Sequence, residues 1–404
     1  MNWPALPLRR IFRIVNGGTP SPADENWGGG IPWATPADLG RVRFGSIETT
    51  QRTLTTLGAA SGSSIAPAGS ILISTRAPIG YVASATVDMA FNQGCRALIP
   101  KVALDVRFFV YQLLAMADRL QMLGQGSTFL ELSSDVLANF PVYVPPLEYQ
   151  RRVADFLDCA LKRMVSLRRR RVDLSRALRE RFLATAALYT GRSMVWDLSS
   201  EAIPLRRFLI GVKTGATPPS LEEGHFVDDG IPWYGPANFL DDPELGAPTK
   251  LVRRESISAG VVPIFPAGST LLVGIGATAG KVAYLDHPAS ANQQITALVP
   301  RSDVCSRFFF WQMWSAGDEL RRTAPYTTLP IINNDFVKSF PVYMPGIEEQ
   351  KSHARELDVE WRRMRALEDV IARLDRLLLD RWQTLITEAV TGRIDVSTAR
   401  GFEV

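Results

Sequence analysis

Only a few stretches of this 404-residue chain combine residue types and spacing that could do chemistry. "GIGATAGKV" at 274–282 looks like a phosphate-cradling loop, but Gly276 to Gly280-Lys281 is one residue short of that pattern. Val282 also stands where a hydroxyl would hold Mg2+, so a tight turn is the better reading. "NFPVY" at 139–143 has the look of an amino-methyltransferase motif, yet no Gly-rich cofactor loop accompanies it. A strand bent by Pro141 accounts for it. Cys95, Cys159 and Cys305 are isolated, without CxxC spacing, and His225, His287 and His353 lie far apart. No Ser/His/Asp set, paired-acid motif or nuclease metal cluster stands out. The expectation is a chain that catalyses nothing itself and carries no cofactor or metal.

The candidate motifs repeat in altered form, which turns attention to the elements around them. "GIPWATPADL" at 30–39 returns as "GIPWYGPANF" at 230–239, and "ALPLRRIF" at 5–12 as "AIPLRRFL" at 202–209. "PAGSILI" at 67–73 pairs with "PAGSTLL" at 266–272, and "FPVYVP" at 140–145 with "FPVYMP" at 340–345. Asn92-Gln93, Phe108-Phe109, Gln112, Glu148 and Gln150 all recur 200 residues on, and "TGR" closes both copies at 190–192 and 391–393. So many ordered matches establish a tandem duplication.

Each copy has two parts. Short β-branched runs between Gly/Pro/Ser turns, with one helical stretch over 106–123 and its partner over 304–321, predict an α+β globule. A long helix then follows. Apolar residues at Leu157, Met164, Leu167, Leu174 and Leu178 keep a 3-4 spacing, matched by Leu357, Trp361, Met364, Leu367, Ile371, Leu374 and Leu378. Sustained over about 40 residues, or roughly 60 Å, this predicts two helices pairing as an antiparallel coiled coil with pseudo-two-fold symmetry. Residues 148–192 carry a net +7 and 348–393 a net −1, so their flanks complement each other. The run "RRRR" at 168–171 puts Arg171 on the seam opposite the copy's Ile371, and reads equally as a solvated face or a contact. The expected organisation is a first globule over 1–146, a helix over 147–192, a second globule over 193–345, a helix over 346–395 and a tail over 396–404.

The chain is 46% apolar and 21% charged, as folded proteins are. "MNWPALPLRR" has no apolar core for secretion, and the uncharged stretch from Ser256 to Gly280 is interrupted by Pro263, Pro266 and glycines. A cytoplasmic protein is expected. The net charge of +4 permits a nucleic-acid partner without demanding one.

Together, "GTP", "IPW", "STRAPIG", "NQG", "FPVYVPPLEYQRRVADFLD" and a long helix, all given twice, closely resemble the specificity subunit of type I restriction–modification systems. The resemblance spans about residues 5–395. It implies two target recognition domains, each reading one half of a bipartite double-stranded DNA target. It implies that the helices set the half-site spacing and dock two methyltransferase subunits, to which restriction subunits add. S-adenosylmethionine, ATP and Mg2+ would then belong to the partners, which as an assembly would methylate adenine N6 and cut DNA. A DNA-binding scaffold outside restriction, or an enzyme with an unfamiliar site, are the rival readings.

If the half-sites differ, residues identical in both copies cannot distinguish them. Pro32-Trp33, Asn92-Gln93 and Phe140-Pro141, with their counterparts, are therefore scaffold or phosphate contacts. Base readout falls to polar residues on turns that change between copies: Thr35, Arg41, Arg43, Arg76 and Tyr81, then Tyr234, Asn238, Lys250, Arg253, Arg254, Lys281 and Gln294. Outside the helices the chain sums to about −2, so its reading domains lack the charge for strong DNA binding alone.

Overall fold

The computed structural model describes residues 3–42, 45–126, 130–192, 203–218, 224–240, 243–324 and 331–396. The chain forms two compact units, one of residues 1–171 with 372–404, the other of 172–371. Each unit therefore takes one globule and part of both long helices.

Fully buried β-branched runs supply the central strands. In the first unit Ile71–Ser74 lies inside a five-stranded sheet ordered Phe12–Asn16, Cys95–Pro100, Ile71–Ser74, Val82–Ala85, Ser46–Ile47. In the second, Thr270–Val273 lies inside a four-stranded sheet ordered Leu209–Thr214, Ile295–Pro300, Thr270–Val273, Val282–Tyr284. A further sheet in each unit carries the repeated Ile-Pro-Trp phrase, on Trp27–Ala34 and Ile231–Tyr234. Short pairings of Ala5–Pro7 with Pro141–Tyr143, and of Ile203–Pro204 with Pro341–Val342, bring the start of each globule to the entry of its long helix.

The single helix expected over 106–123 is two, Val106–Ala115 and Ala117–Met122, and its copy divides into Ser306–Ser315 and Gly317–Thr323. The break accommodates a turn. Gly280, at φ +92°, packs so closely that a Cβ there would stand 2.5 Å from the Gly317 carbonyl oxygen.

The long helices run over Leu147–Tyr189 and Ile347–Val390. Gly191 and Gly392 end them at φ +67° and +72°, with Arg192 N–H donating to Ala187 O and Arg393 N–H to Glu388 O. Three polar joints fasten each globule at the entry to its helix. Two are alike in both copies, and the first is reduced in the second copy, where Gln312 only donates to Tyr343 O. The Gln112 amide closes on both backbone groups of Tyr143, and Gln150 accepts from Asp105 N–H at 2.9 Å while donating to Pro145 O. Asp158 receives Arg107 and the Tyr111 hydroxyl, where Asp358 receives Arg307 and the Trp311 indole at 2.8 Å. Burial and the Asp158 charge push the Tyr111 hydroxyl pKa well above its ordinary value.

The helices pair antiparallel. In the second unit Arg179 meets Glu368, Phe182 meets Trp361 and Tyr189 stacks on His353, so rising numbers face falling ones. In the first, Met164 and Leu157 share a core with Trp382 and Ile386, and Arg168 and Arg171 both bind Asp375. Leu157, Met164, Leu357, Trp361 and Met364 are buried on this seam, and Leu178, Ile371 and Leu378 are half-buried. Leu167, Leu174, Leu367 and Leu374 are not on it; they are between 46% and 50% exposed. The stripe instead passes through Arg168, Arg171 and Ser175, and through Glu368 and Asp375. Beyond Met164 a 3-4 spacing allows either 167 or 168 next, and helix geometry places the arginine inward regardless of which side chain is apolar. The "RRRR" run is thus split, with Arg168 and Arg171 turned to Asp375 and Arg169 and Arg170 exposed.

No helix among the described residues is long and apolar enough to cross a membrane.

Candidate nucleic-acid interface

The repeated phrase builds the same scaffold in both units. Trp33 and Trp233 are buried, and each indole N–H donates at 3.1 Å to the backbone of the preceding Gly/Ala-Thr-Pro turn, at Gly18 O and Ala216 O. Those turns are in turn clasped by Thr19 to Gln93 and by Thr217 to Gln293. Asn92 and Asn292 each accept a backbone N–H two residues on, at 3.0 Å. These groups are identical in the two units because they hold turns in place.

Three of the residues proposed from sequence as base readers do structural work. Asp38 gathers the Thr35 N–H and hydroxyl, the Gln51 N–H and Arg41, so Thr35 is a half-buried capping residue. Asn238 replaces Asp38 there, is itself buried, accepts Gly235 N–H at 2.7 Å and Thr249 at 2.9 Å, and donates to Ala247 O. Tyr234 is only 3% exposed, its hydroxyl 3.1 Å from His287 Nε2, and burial together with Asp286 raises its pKa. The exchange after the shared Trp repacks a turn, with Asn238 and Tyr234 buried and Thr35 half-buried.

The clearest contrast lies at the next turn. Backbone bonds from Leu132 to Thr75 and from Ile332 to Gly274 align Arg76 with Ile275, so the second unit's extra residue falls within the turn after it. Arg76 is 48% exposed and binds Glu131 at 3.1 Å; Glu131 also faces the largely buried Arg96 at 3.6 Å. Arg96 donates to Ser134 at 3.0 Å, which donates to Asn16 at 2.8 Å. Burial lowers the Arg96 pKa, with Glu131 opposing. In the second unit Ile275 bridges Ile331, and Thr214, Thr296 and Asn334 close a neutral hydrogen-bonded triad. One unit thus carries a charged chain that ends in an exposed guanidinium, while the other carries a neutral triad at the same place.

Around these turns Tyr81 is 39% exposed and lies over Gly40, where a Cβ would meet its ring at 2.7 Å. Lys281 is half-buried and donates to Phe239 O at 3.3 Å. Gln294 is half-buried beside Gly276, its carbonyl accepting from Asn292 at 3.2 Å. Gly276 and Gly280, both at positive φ, make "GIGATAGKV" a turn. Arg41 is exposed and held by Gln51 at 2.7 Å, and Arg253 and Arg254 are exposed at the start of a short helix. Lys250 sits 4.5 Å over the Phe226 ring. Arg43 lies outside the described residues. Sequence reasoning missed Arg96, Glu131 and Arg52. Arg52 is separated from the shared Trp by 19 residues and Lys250 by 17, so unequal loops hid their correspondence.

Two tandem α+β modules, each joined to a long helix that pairs with the other, is the class this arrangement defines. The chain belongs to the type I restriction modification DNA specificity domain family, whose pattern it matches over residues 2–171 and again over 210–369. It is 36% identical over 160 residues to the MjaIX specificity subunit of Methanocaldococcus jannaschii, 39% of this chain and 37% of that one. It is 33% identical over 149 residues to the EcoprrI specificity subunit of Escherichia coli, 35% of this chain and 36% of that one. The matched stretches span little more than a third of these relatives. Among solved structures, the fold resembles a chain from a study of complex assembly and conformational transition in the type I R-M system. That match has a TM-score of 0.78 and 15% identity, covering 97% of this chain and 98% of that one. The HsdS subunit of Thermoanaerobacter tengcongensis superposes with a TM-score of 0.54 at 16% identity, over 97% of each chain.

Proposed function

We propose that this chain is the DNA-specificity subunit of a type I restriction–modification complex. Each globule reads one half of a bipartite target, and the paired helices set the spacing and dock two methyltransferase subunits, with restriction subunits joining the full assembly. The chain supplies sequence choice and no catalysis, in the cytoplasm. S-adenosylmethionine, ATP and Mg2+ act on its partners. The observation that carries this reading is the family pattern occurring twice, on units with coincident scaffolds and unlike polar surfaces. A scaffold outside restriction would have no reason to hold the core so constant while changing these turns.

Arg76 is the strongest base reader in the first unit, since Glu131 holds its Nε and leaves the rest of the guanidinium to face guanine. Arg41, Tyr81, Arg253, Arg254 and Gln294 remain candidates by position.

The test is expression with its methyltransferase partner in a methylation-free host, followed by methylome sequencing. A motif of two unlike halves separated by a fixed gap is expected. A continuous motif, or no methylation dependent on this chain, would sink the reading.

A further inference from the structure

Both units seat a cation on an aromatic ring at the same place in the fold, Arg52 exposed and Lys250 half-buried. In the first, the Arg52 guanidinium carbon lies 3.5 Å from the Trp27 ring centroid and 5.6 Å from that of Trp33. Trp27 meets the buried Trp33 edge-on at 4.9 Å. In the second, Lys250 Nζ lies 4.5 Å from the Phe226 ring, which meets the buried Trp233 edge-on at 5.3 Å. Strand register makes the two cations equivalent. Pro32 pairs with Thr53 and Pro232 with Leu251, so Arg52 and Lys250 each stand opposite the shared Trp. Trp33 N–H donates to Arg52 O at 3.1 Å, which fixes the backbone of the cation to the scaffold.

The chemistry kept here is positive charge, not a particular side chain. Arg and Lys differ in shape and in hydrogen-bond pattern, and what they share is the charge that a contact common to two unlike half-sites needs. A phosphate contact is of that kind. Among the described residues neither cation forms an ion pair, so both charges are available to a ligand. The ring beneath each one limits its motion.

We propose that Arg52 and Lys250 are matching phosphate contacts, one in each reading domain, which position the duplex without reading its sequence. The proposal rests on the chain being a DNA-specificity subunit, and the wild-type methylome tests that premise separately.

The experiment uses the complex of the chain with its methyltransferase, and two duplexes, one carrying the mapped motif and one scrambled. Arg52→Ala and Lys250→Ala should each weaken binding to both duplexes alike and leave the methylated motif unchanged. Each should also reduce the slope of log affinity against log salt by about 0.9, roughly a threefold smaller loss between about 50 and about 200 mM salt. Arg52→Lys and Lys250→Arg should restore wild-type slopes, since each gives one unit the other's residue. Two results would overturn the proposal. A changed base in one half-site would make the residue a reader. A lowered melting temperature with affinity and slope intact would make it only a brace for the aromatic pair.

Discussion

At one point in the fold the two units keep the same backbone and differ completely in chemistry. Arg76 and Glu131 bridge in one unit; Ile275 and Ile331 bridge in the other. Beneath them the first unit has Arg96, Ser134 and Asn16, and the second Thr296, Asn334 and Thr214. Elsewhere in each unit, the Trp33 and Trp233 turns coincide down to equal indole hydrogen bonds at 3.1 Å. A duplicated fold can change what it presents only where the backbone does not depend on the side chain. At this turn the strand bridge supplies the geometry, so the side chains are free to diverge.

The largest effect should come from the part that did not diverge. Trp33→Ala and Trp233→Ala each remove a buried indole with its hydrogen bond and its edge-on aromatic partner. Each should cost about 3–5 kcal/mol in chemical denaturation followed by near-UV circular dichroism. The two losses should be similar. A large loss in one unit and a negligible one in the other would break the claim that the scaffolds are equivalent.

Duplication, the α+β character of each copy and the long helices were legible from sequence because each rests on pattern. Repeated phrases and a 3-4 apolar stripe survive without knowledge of distant contacts. The stripe misled where it ran out of apolar residues on the true seam: Leu167 and Leu367 are exposed, and Arg168 and Glu368 turn inward. Ion pairs across helices leave no periodic mark. At the candidate site, Arg76 and Lys250 were visible as polar changes on turns. Their partners were not, because Glu131 lies 55 residues from Arg76 and Phe226 lies 24 from Lys250. Thr35, Asn238 and Tyr234 show the opposite limit of sequence reading. They are polar and they change, but a capping or core partner already uses them.

A middling effect should follow from making the first unit's turn like the second's. Replacing Arg76→Ile and Glu131→Ile together with Arg96→Thr, which matches Thr296, avoids leaving Arg96 without its carboxylate and copies a pairing the fold already tolerates. Methylome sequencing should then show one base pair of one half-site relaxed, with about tenfold less discrimination, or about 1–3 kcal/mol. The other half-site and the gap should not change. An unaltered motif would remove Arg76 from the readers and leave the contrast between the units as drift.

The smallest effect concerns the helix pairing, where Glu368 gathers arginines in the second unit as Asp375 does in the first. Glu368 receives Arg179 at 2.6 Å and Arg365 at 3.2 Å, with the Ser175 hydroxyl at 3.4 Å. Burial works against its charge, but the two arginines outweigh it and hold the carboxyl pKa below its ordinary 4.5. A carboxyl with a depressed folded pKa stabilises the fold above its unfolded pKa, and that contribution is lost as pH falls through the folded one. Wild type should therefore exceed Glu368→Gln in melting temperature near neutral pH, by the equivalent of roughly 0.5–1 kcal/mol for a partly exposed pair. The gap should close as pH drops below the ordinary carboxylate range, because protonation then makes the wild-type side chain as neutral as glutamine. A gap that stayed constant down to low pH would mean that Glu368 acts through packing or hydrogen bonding. The ionic middle of the seam would then be no more than a polar substitute for the leucines that point away from it.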